Sequence, residues 1–224
     1  MSMRKCSLCL VSETEVAPFL DELRKKHPQA SITLISAPGT VEILFQGGHL
    51  DPLVQAVREK FPTFFYEAES IEEAMHREFI ARNKTLALAE SCTGGAVAAK
   101  IVSIPDASKY FLGSIVAYSN GWKERFLQVS RTTIQQKGVV SSAVATEMVA
   151  GLFHETDADF GAAITGLAGS AGAPIYIAIG KRGEKIDAGS IPASSDRNKA
   201  IDLTVHLVLG ALWRRLVHNT ATFS

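Results

Sequence analysis

Between Ala89 and Gly95 the chain reads Ala89-Glu90-Ser91-Cys92-Thr93-Gly94-Gly95, which gathers two hydroxyls, a thiol and a pair of glycines in one short segment. An apolar run, Thr85 to Leu88, precedes it, and a small-residue amphipathic stretch, Ala96 to Ile104, follows. That order predicts a strand, a tight turn and a helix start. Such a turn presents backbone N–H groups that no helical carbonyl has claimed, and these donors bind anions or stabilise an oxyanion. Glycine allows the backbone to approach a ligand closely and to take positive φ. Ser91 is thus a candidate nucleophile, or one wall of a phosphate site. The same residue types also cap helices and form turns whatever the function, so the segment alone supports both readings. Its spacing is neither that of a P-loop nor that of the Gly-x-Ser-x-Gly elbow.

Ligands of open α/β sheets collect beyond the carboxyl ends of the strands. Two more loops at predicted strand ends carry polar groups or glycines, Tyr118 to Lys123 and Thr165 to Gly172, and Asp196-Arg197 opens the last predicted helix. A serine is a weak nucleophile until a base takes its proton. None of the six histidines (His27, His49, His76, His154, His206 and His218) falls in these loops. Arg197 stays protonated, which leaves Lys123 as the group suited to accept a proton. A lysine does so near neutral pH only where burial or a neighbouring positive charge lowers its pKa. Tyr118 could relay the proton or hydrogen-bond the lysine. Each residue has an ordinary alternative: Lys123 as a solvated helix charge beside Glu124 and Arg125, Tyr118 as a partly buried aromatic, Thr165 as a turn cap, Asp196 as an N-cap. Trp122 reads as a packing residue.

The elements that must position these groups alternate. Cys6 to Val11 reads as a strand and Glu13 to Lys26 as a helix with Val16, Phe19, Leu20 and Leu23 on one face. Two strands, Ser31 to Ser36 and Val41 to Phe45, flank a Pro38-Gly39 turn, and Leu53 to Phe61 and Thr63 to Tyr66 follow as helix and strand. Ser70 with Glu73 forms a capping box for a helix over Ile71 to Arg82. Beyond Ser91 the reading continues with a strand Phe111 to Tyr118, a helix Ser141 to Phe153, a strand Phe160 to Thr165, a hairpin of Ile175 to Gly180 with Lys185 to Ile191, and a helix Asp196 to Val217. The class is α/β with a mixed sheet. A domain boundary is expected near Glu69, giving a small α/β domain over 1–69 and a larger one over 70–224.

Hydrophobic residues at 46% and charged residues at 21% lie in the range of ordinary globular proteins. Lys plus Arg and Asp plus Glu are 23 each and no basic run occurs, which argues against a nucleic-acid partner. The apolar run at Cys6 to Val11 is too short to span a membrane and has no cleavage site, so no membrane association and a cytoplasmic location are expected. Cys6, Cys9 and Cys92 cannot make a disulfide framework. The Cys6-Ser7-Leu8-Cys9 spacing lacks a second ligand pair, so no metal and no cofactor are expected.

The chain from about Ser70 to Leu216 resembles the carboxy-terminal domain of the CinA (competence/damage-inducible protein) family, also called PncC. The resemblance rests on Ala89 to Gly95, on Tyr118-Ser119-Asn120 followed by Lys123, on Gly138-Val139-Val140-Ser141, on Thr165-Gly166-Leu167-Ala168-Gly169 and on Asp196-Arg197. Residues 4 to 69 resemble the small α/β domain that precedes this module in longer CinA proteins. The resemblance implies hydrolysis of nicotinamide mononucleotide to nicotinate mononucleotide and ammonia by a serine–lysine arrangement. Carried onto this sequence, Ser91 is the nucleophile and Lys123 its base, with Tyr118 and Thr165 assisting. Cys92, Thr93, Gly94, Gly95, Asn120, Gly166, Gly169 and Arg197 make up the implied substrate shell, with Arg197 and the Thr93 to Gly95 backbone on the phosphate or oxyanion. A homodimer is the implied assembly, consistent with the apolar Leu203 to Leu212 stretch. Two departures stand out. The loop Gly169 to Pro174 is shorter than the family's, and the final helix has Ala200 or Ile201 where a second arginine usually lies. They favour, as the alternative, a nucleotide-binding or regulatory protein with weakened catalysis.

Overall fold

The computed structural model describes residues 2–220. The chain divides into two compact units, Met1–Ala74 and Met75–Ser224.

In the first unit, alternation of apolar and polar residues builds an antiparallel sheet from β1 (Ser2–Cys9), β2 (Ser31–Ala37), β3 (Thr40–Gly47) and β4 (Phe65–Tyr66), in the order β2-β3-β1-β4. β1 starts four residues before the expected Cys6 and ends at Cys9, because Leu10 turns the chain with φ 60°. Helix α1 (Glu13–Lys26) begins at a capping box of Ser12 with Glu15, and α2 (Asp51–Lys60) begins with Pro52 in its first turn. Val16, Leu20 and Leu23 of α1 and Leu53, Val54 and Val57 of α2 share one core with Cys6, Leu8, Ile43 and Phe45. Cys6 faces that core, where burial pushes its thiol up to about 12. Residues three apart on a strand point to opposite faces, so Cys6 and Cys9 cannot act as one ligand pair.

The second unit contains most of α3 (Ile71–Ala81), followed by β5 (Leu86–Glu90), α4 (Ala96–Val102), β6 (Phe111–Val116), α5 (Asn120–Leu127), α6 (Arg131–Lys137) and α7 (Ser142–Glu155). Strands β7 (Phe160–Gly166), β8 (Pro174–Lys181) and β9 (Asp187–Pro192) and helix α8 (Arg197–His218) complete it. Its sheet has the order β6-β5-β7-β8-β9. β5 pairs in parallel with β6 and β7, whereas β8 and β9 continue antiparallel. This is the expected mixed sheet.

Every residue of β5 is buried, as a central strand covered on both faces requires. Its side chains sort by size. Ala87 and Ala89, with Ala163 of β7 and Ala178 of β8, pack under Val144, Ala145, Met148, Val149 and Leu152 of α7. Leu86 and Leu88 alternate to the other face, where Phe79 of α3 meets Phe160 edge-on at 5.7 Å. Small residues thus let α7 sit close to the sheet. The parallel register sets Leu86 opposite Phe160 and Glu90 opposite Val116, so β5, β6 and β7 end on the same side. No described helix is long and apolar enough to cross a membrane.

Candidate active site

Ser91 follows β5 directly and is 7% exposed. Its turn is closed by the Gly94 N–H donating to the Ser91 carbonyl at 3.0 Å, and Gly94 and Gly95 carry φ of +63° and +98°, values that a side chain would strain. The adjacent strand β6 stops at Val116, two residues short of the expected end, and Tyr118 lies in the loop beyond it. Ser119 then caps α5, its hydroxyl accepting from the Trp122 N–H. Lys123 lies in the first turn of α5. Helical side chains slant toward the helix N-terminus, and this one turns inward.

The result is a close pair. Lys123 Nζ lies 2.9 Å from Ser91 Oγ and donates to the Ala117 carbonyl at 2.6 Å. Lys123 is 1% exposed, and among the described residues no carboxylate makes an ion pair with it. Burial lowers its pKa from the ordinary 10.5, with the neighbouring Cys92 acting weakly the other way. The solvated-lysine alternative does not hold. A neutral amine with one N–H on Ala117 has a lone pair free for the Ser91 proton. Cys92 is buried beside the pair, and burial raises its thiol pKa although Arg197 and Lys123 oppose this. Burial thus disfavours its thiolate, and the side chain that Lys123 contacts is the Ser91 hydroxyl.

Ser91, Cys92, Lys123, Thr165, Gly166 and Arg197 line one cavity of about 290 Å³, together with Tyr118, Asn120, Val139, Val140, Leu167, Ala168 and Ser170. The three loops anticipated at the strand ends do converge. Arg197, the first residue of α8, follows Asp196, whose carboxylate accepts from the N–H groups of Asn198 and Lys199. Its guanidinium donates to the Ala168 carbonyl at 2.8 Å and to the Tyr118 hydroxyl at 3.2 Å. Asn120 opens α5 and is exposed at the cavity.

Several expected partners are engaged elsewhere. Tyr118 is 64% exposed and bonded to Arg197, not to Lys123. Thr165 is buried, and its hydroxyl donates to the Val139 carbonyl at 3.0 Å, which fixes the Gly138-Val139-Val140 wall. Thr93, Gly94, Gly95 and Gly169 are absent from the cavity lining. The Gly95 N–H is taken by Glu90, so this donor is not free for a phosphate. Gly169 acts through its backbone: at φ +90°, an added Cβ would lie 3.0 Å from Arg197 Cβ.

Sequence reasoning gave no role of their own to Glu90, Ala117, Val139 and Ala168. The last three contribute main-chain carbonyls, which side-chain chemistry does not advertise. Glu90 had a signal: an acidic residue closing an otherwise apolar strand. Among the described residues, no cluster of His, Cys, Asp and Glu has a metal-site arrangement.

With this geometry in place, the comparison with known proteins is decisive about ancestry. The family model described as the CinA C-terminal domain matches residues 68–216. The chain belongs to the CinA family. A CinA-like protein of Thermosipho melanesiensis is 41% identical over 161 residues, covering 70% of this chain and 40% of that protein. A CinA-like protein of Dictyoglomus thermophilum is 35% identical over 178 residues, covering 75% and 43%. This chain thus spans less than half the length of these two relatives. A CinA superfamily protein from Klebsiella pneumoniae, known as a crystal structure, superposes with a TM-score of 0.62 at 30% identity, over 67% of this chain and 99% of that one.

Proposed function

We propose that this CinA-family protein is a serine–lysine amidohydrolase that deamidates nicotinamide mononucleotide. The observation that carries the reading is the 2.9 Å approach of a buried lysine, without an ion pair among the described residues, to the Ser91 hydroxyl. In this reading Ser91 Oγ attacks the carboxamide carbon and Lys123 takes the hydroxyl proton. Lys123 then returns the proton to the departing nitrogen, so ammonia leaves and an acyl-serine remains. Water attacks that ester, gives a proton to Lys123 and releases the carboxylate product, and Ser91 regains its hydrogen. Protons and leaving groups balance without a redox partner.

The lining residues support this reading. Val139 and Val140 offer an apolar wall for a flat ring, and Arg197 offers the cation for a phosphate at the cavity edge. Tyr118 steadies that guanidinium. The enzyme would then serve pyridine-nucleotide recycling in the cytoplasm, as a homodimer. The short Gly169 to Pro174 segment favours the second reading, a nucleotide-binding protein with weakened catalysis. Assay of ammonia release from nicotinamide mononucleotide separates them: turnover supports the amidase, and binding without turnover supports the second reading.

A further inference from the structure

We propose that Glu90 is a positioning residue that holds the Ser91 turn in register with Lys123; the proposal rests on the reading of Ser91 as nucleophile. Glu90 is 0% exposed. One carboxylate oxygen accepts from the N–H groups of Gly95 at 3.0 Å and Val97 at 3.1 Å. The other accepts from the Ala98 N–H at 3.0 Å and the Ser114 hydroxyl at 3.1 Å. Among the described residues no cation pairs with it, so the buried charge is balanced by four directed donors instead.

These four bonds join three elements. They tie the end of β5 to the first turn of α4 on one side and to β6 on the other. The Glu90 main chain adds a fifth link, because its carbonyl accepts from the Ala117 N–H at 2.8 Å. Ala117 in turn accepts from Lys123 Nζ. One peptide hydrogen bond therefore separates the residue before the nucleophile from the residue that holds the base. Ser91 lies inside this frame and has little freedom to move away from the lysine.

Only a carboxylate fits the frame. A glutamine of the same shape keeps one acceptor oxygen but turns an NH2 toward two donors, which leaves buried N–H or O–H groups unpaired. The same bonds occupy the amides of Gly95, Val97 and Ala98 internally. The substrate's anionic end is thereby directed to Arg197 instead of the start of α4.

The test compares the full chain with Glu90→Gln and Glu90→Leu variants, each checked for folding by circular dichroism. Two readouts are taken: the rate at which a serine-directed fluorophosphonate modifies Ser91, followed by intact mass across pH, and amide hydrogen exchange at residues 94–98. Displacing Ser91 by about an ångström should slow labelling about tenfold in the Gln variant and about a hundredfold in the Leu variant. The pH midpoint of labelling should stay with Lys123, and exchange protection at Gly95, Val97 and Ala98 should fall. Labelling within twofold of wild type in a folded variant, or unchanged protection, would overturn the proposal. Wild-type protein that resists the reagent at every pH would overturn the nucleophile reading and this proposal with it, a result distinct from labelled wild type with indifferent variants. Should both variants fail to fold, Ser114→Ala removes one donor of the four. It is then expected to slow labelling severalfold, and an unchanged rate counts against the proposal.

Discussion

Lys123 meets Ser91 across 32 positions of sequence, Nζ to Oγ at 2.9 Å, with the lysine anchored on the Ala117 carbonyl. Burying an amine without a carboxylate partner costs stability, and it is useful only if the neutral form has work to do. In the proposed reaction the pair divides that work: the serine forms the bond and the lysine moves the proton.

Replacing either member should therefore abolish turnover while sparing the fold. Lys123→Met keeps a linear side chain in the same space and is expected to lower kcat about 10²–10⁴-fold, the usual contribution of a positioned base. Ser91→Ala should lose at least as much. Circular dichroism unchanged alongside residual activity above one-tenth would contradict the assignment.

Acidity offers a second test. The Lys123 pKa is lowered by burial, so turnover should rise with pH through that lowered value and level off while exposed lysines are still charged. Stability follows the same linkage. Between the folded pKa and 10.5, the unfolded chain binds a proton that the folded chain does not, so stability from this group increases with pH across that window. Below the folded value both states carry the proton and the destabilisation is complete. Lys123→Met lacks this term, so the Tm of wild type minus that of the variant should climb as pH rises from neutral toward 10.5. A flat difference would contradict a depressed lysine.

Much of this site was legible in the sequence because its residues sit directly after strands. Parallel pairing of β5 with β6 and β7 then brings those strand ends together. Ser91, Lys123 and Arg197 carry chemistry in their side chains, and their types alone narrowed the choice of base. The hydroxyl of Thr165 reads as a catalytic helper, and in the structure it donates to the Val139 carbonyl, a partner that side-chain chemistry does not announce. In the Thr93 to Gly95 backbone the Gly95 N–H is taken by the Glu90 carboxylate, which a row of residue types gives no hint of. Helix α6, Arg131–Lys137, escaped notice because it buries no residue and so shows no apolar stripe. β1 ended two residues before the expected Val11 because Leu10, in the left-handed region, stopped the ladder.

Arg197 predicts a binding phenotype. Its guanidinium is held by the Ala168 carbonyl and the Tyr118 hydroxyl, and neither bond involves Ser91 or Lys123. Arg197→Ala should raise KM about tenfold or more, which corresponds to about 1.4 kcal/mol, with kcat changed less. Gly169→Ala should act in the same direction, since φ +90° and a Cβ 3.0 Å from Arg197 Cβ force the arginine to shift. Steady-state kinetics with an equal fall in kcat would place Arg197 in the chemical step instead.

Gly151 predicts a stability phenotype that reaches the site. It lies in α7 where a Cβ would come within 2.0 Å of the Leu127 carbonyl oxygen, at the end of α5. Gly151→Ala must push apart the helix that carries Lys123, at a cost of about 3 kcal/mol. Chemical denaturation should show this loss with an unchanged m-value. A stable variant would mean that α5 and α7 can separate freely.

The most direct measurement is ammonia release from nicotinamide mononucleotide by the purified protein, with Ser91→Ala in parallel. Steady release by wild type and none by the variant is the predicted result. A folded wild-type protein that binds the nucleotide and releases no ammonia would contradict the amidase and leave a binding protein built on the same cavity.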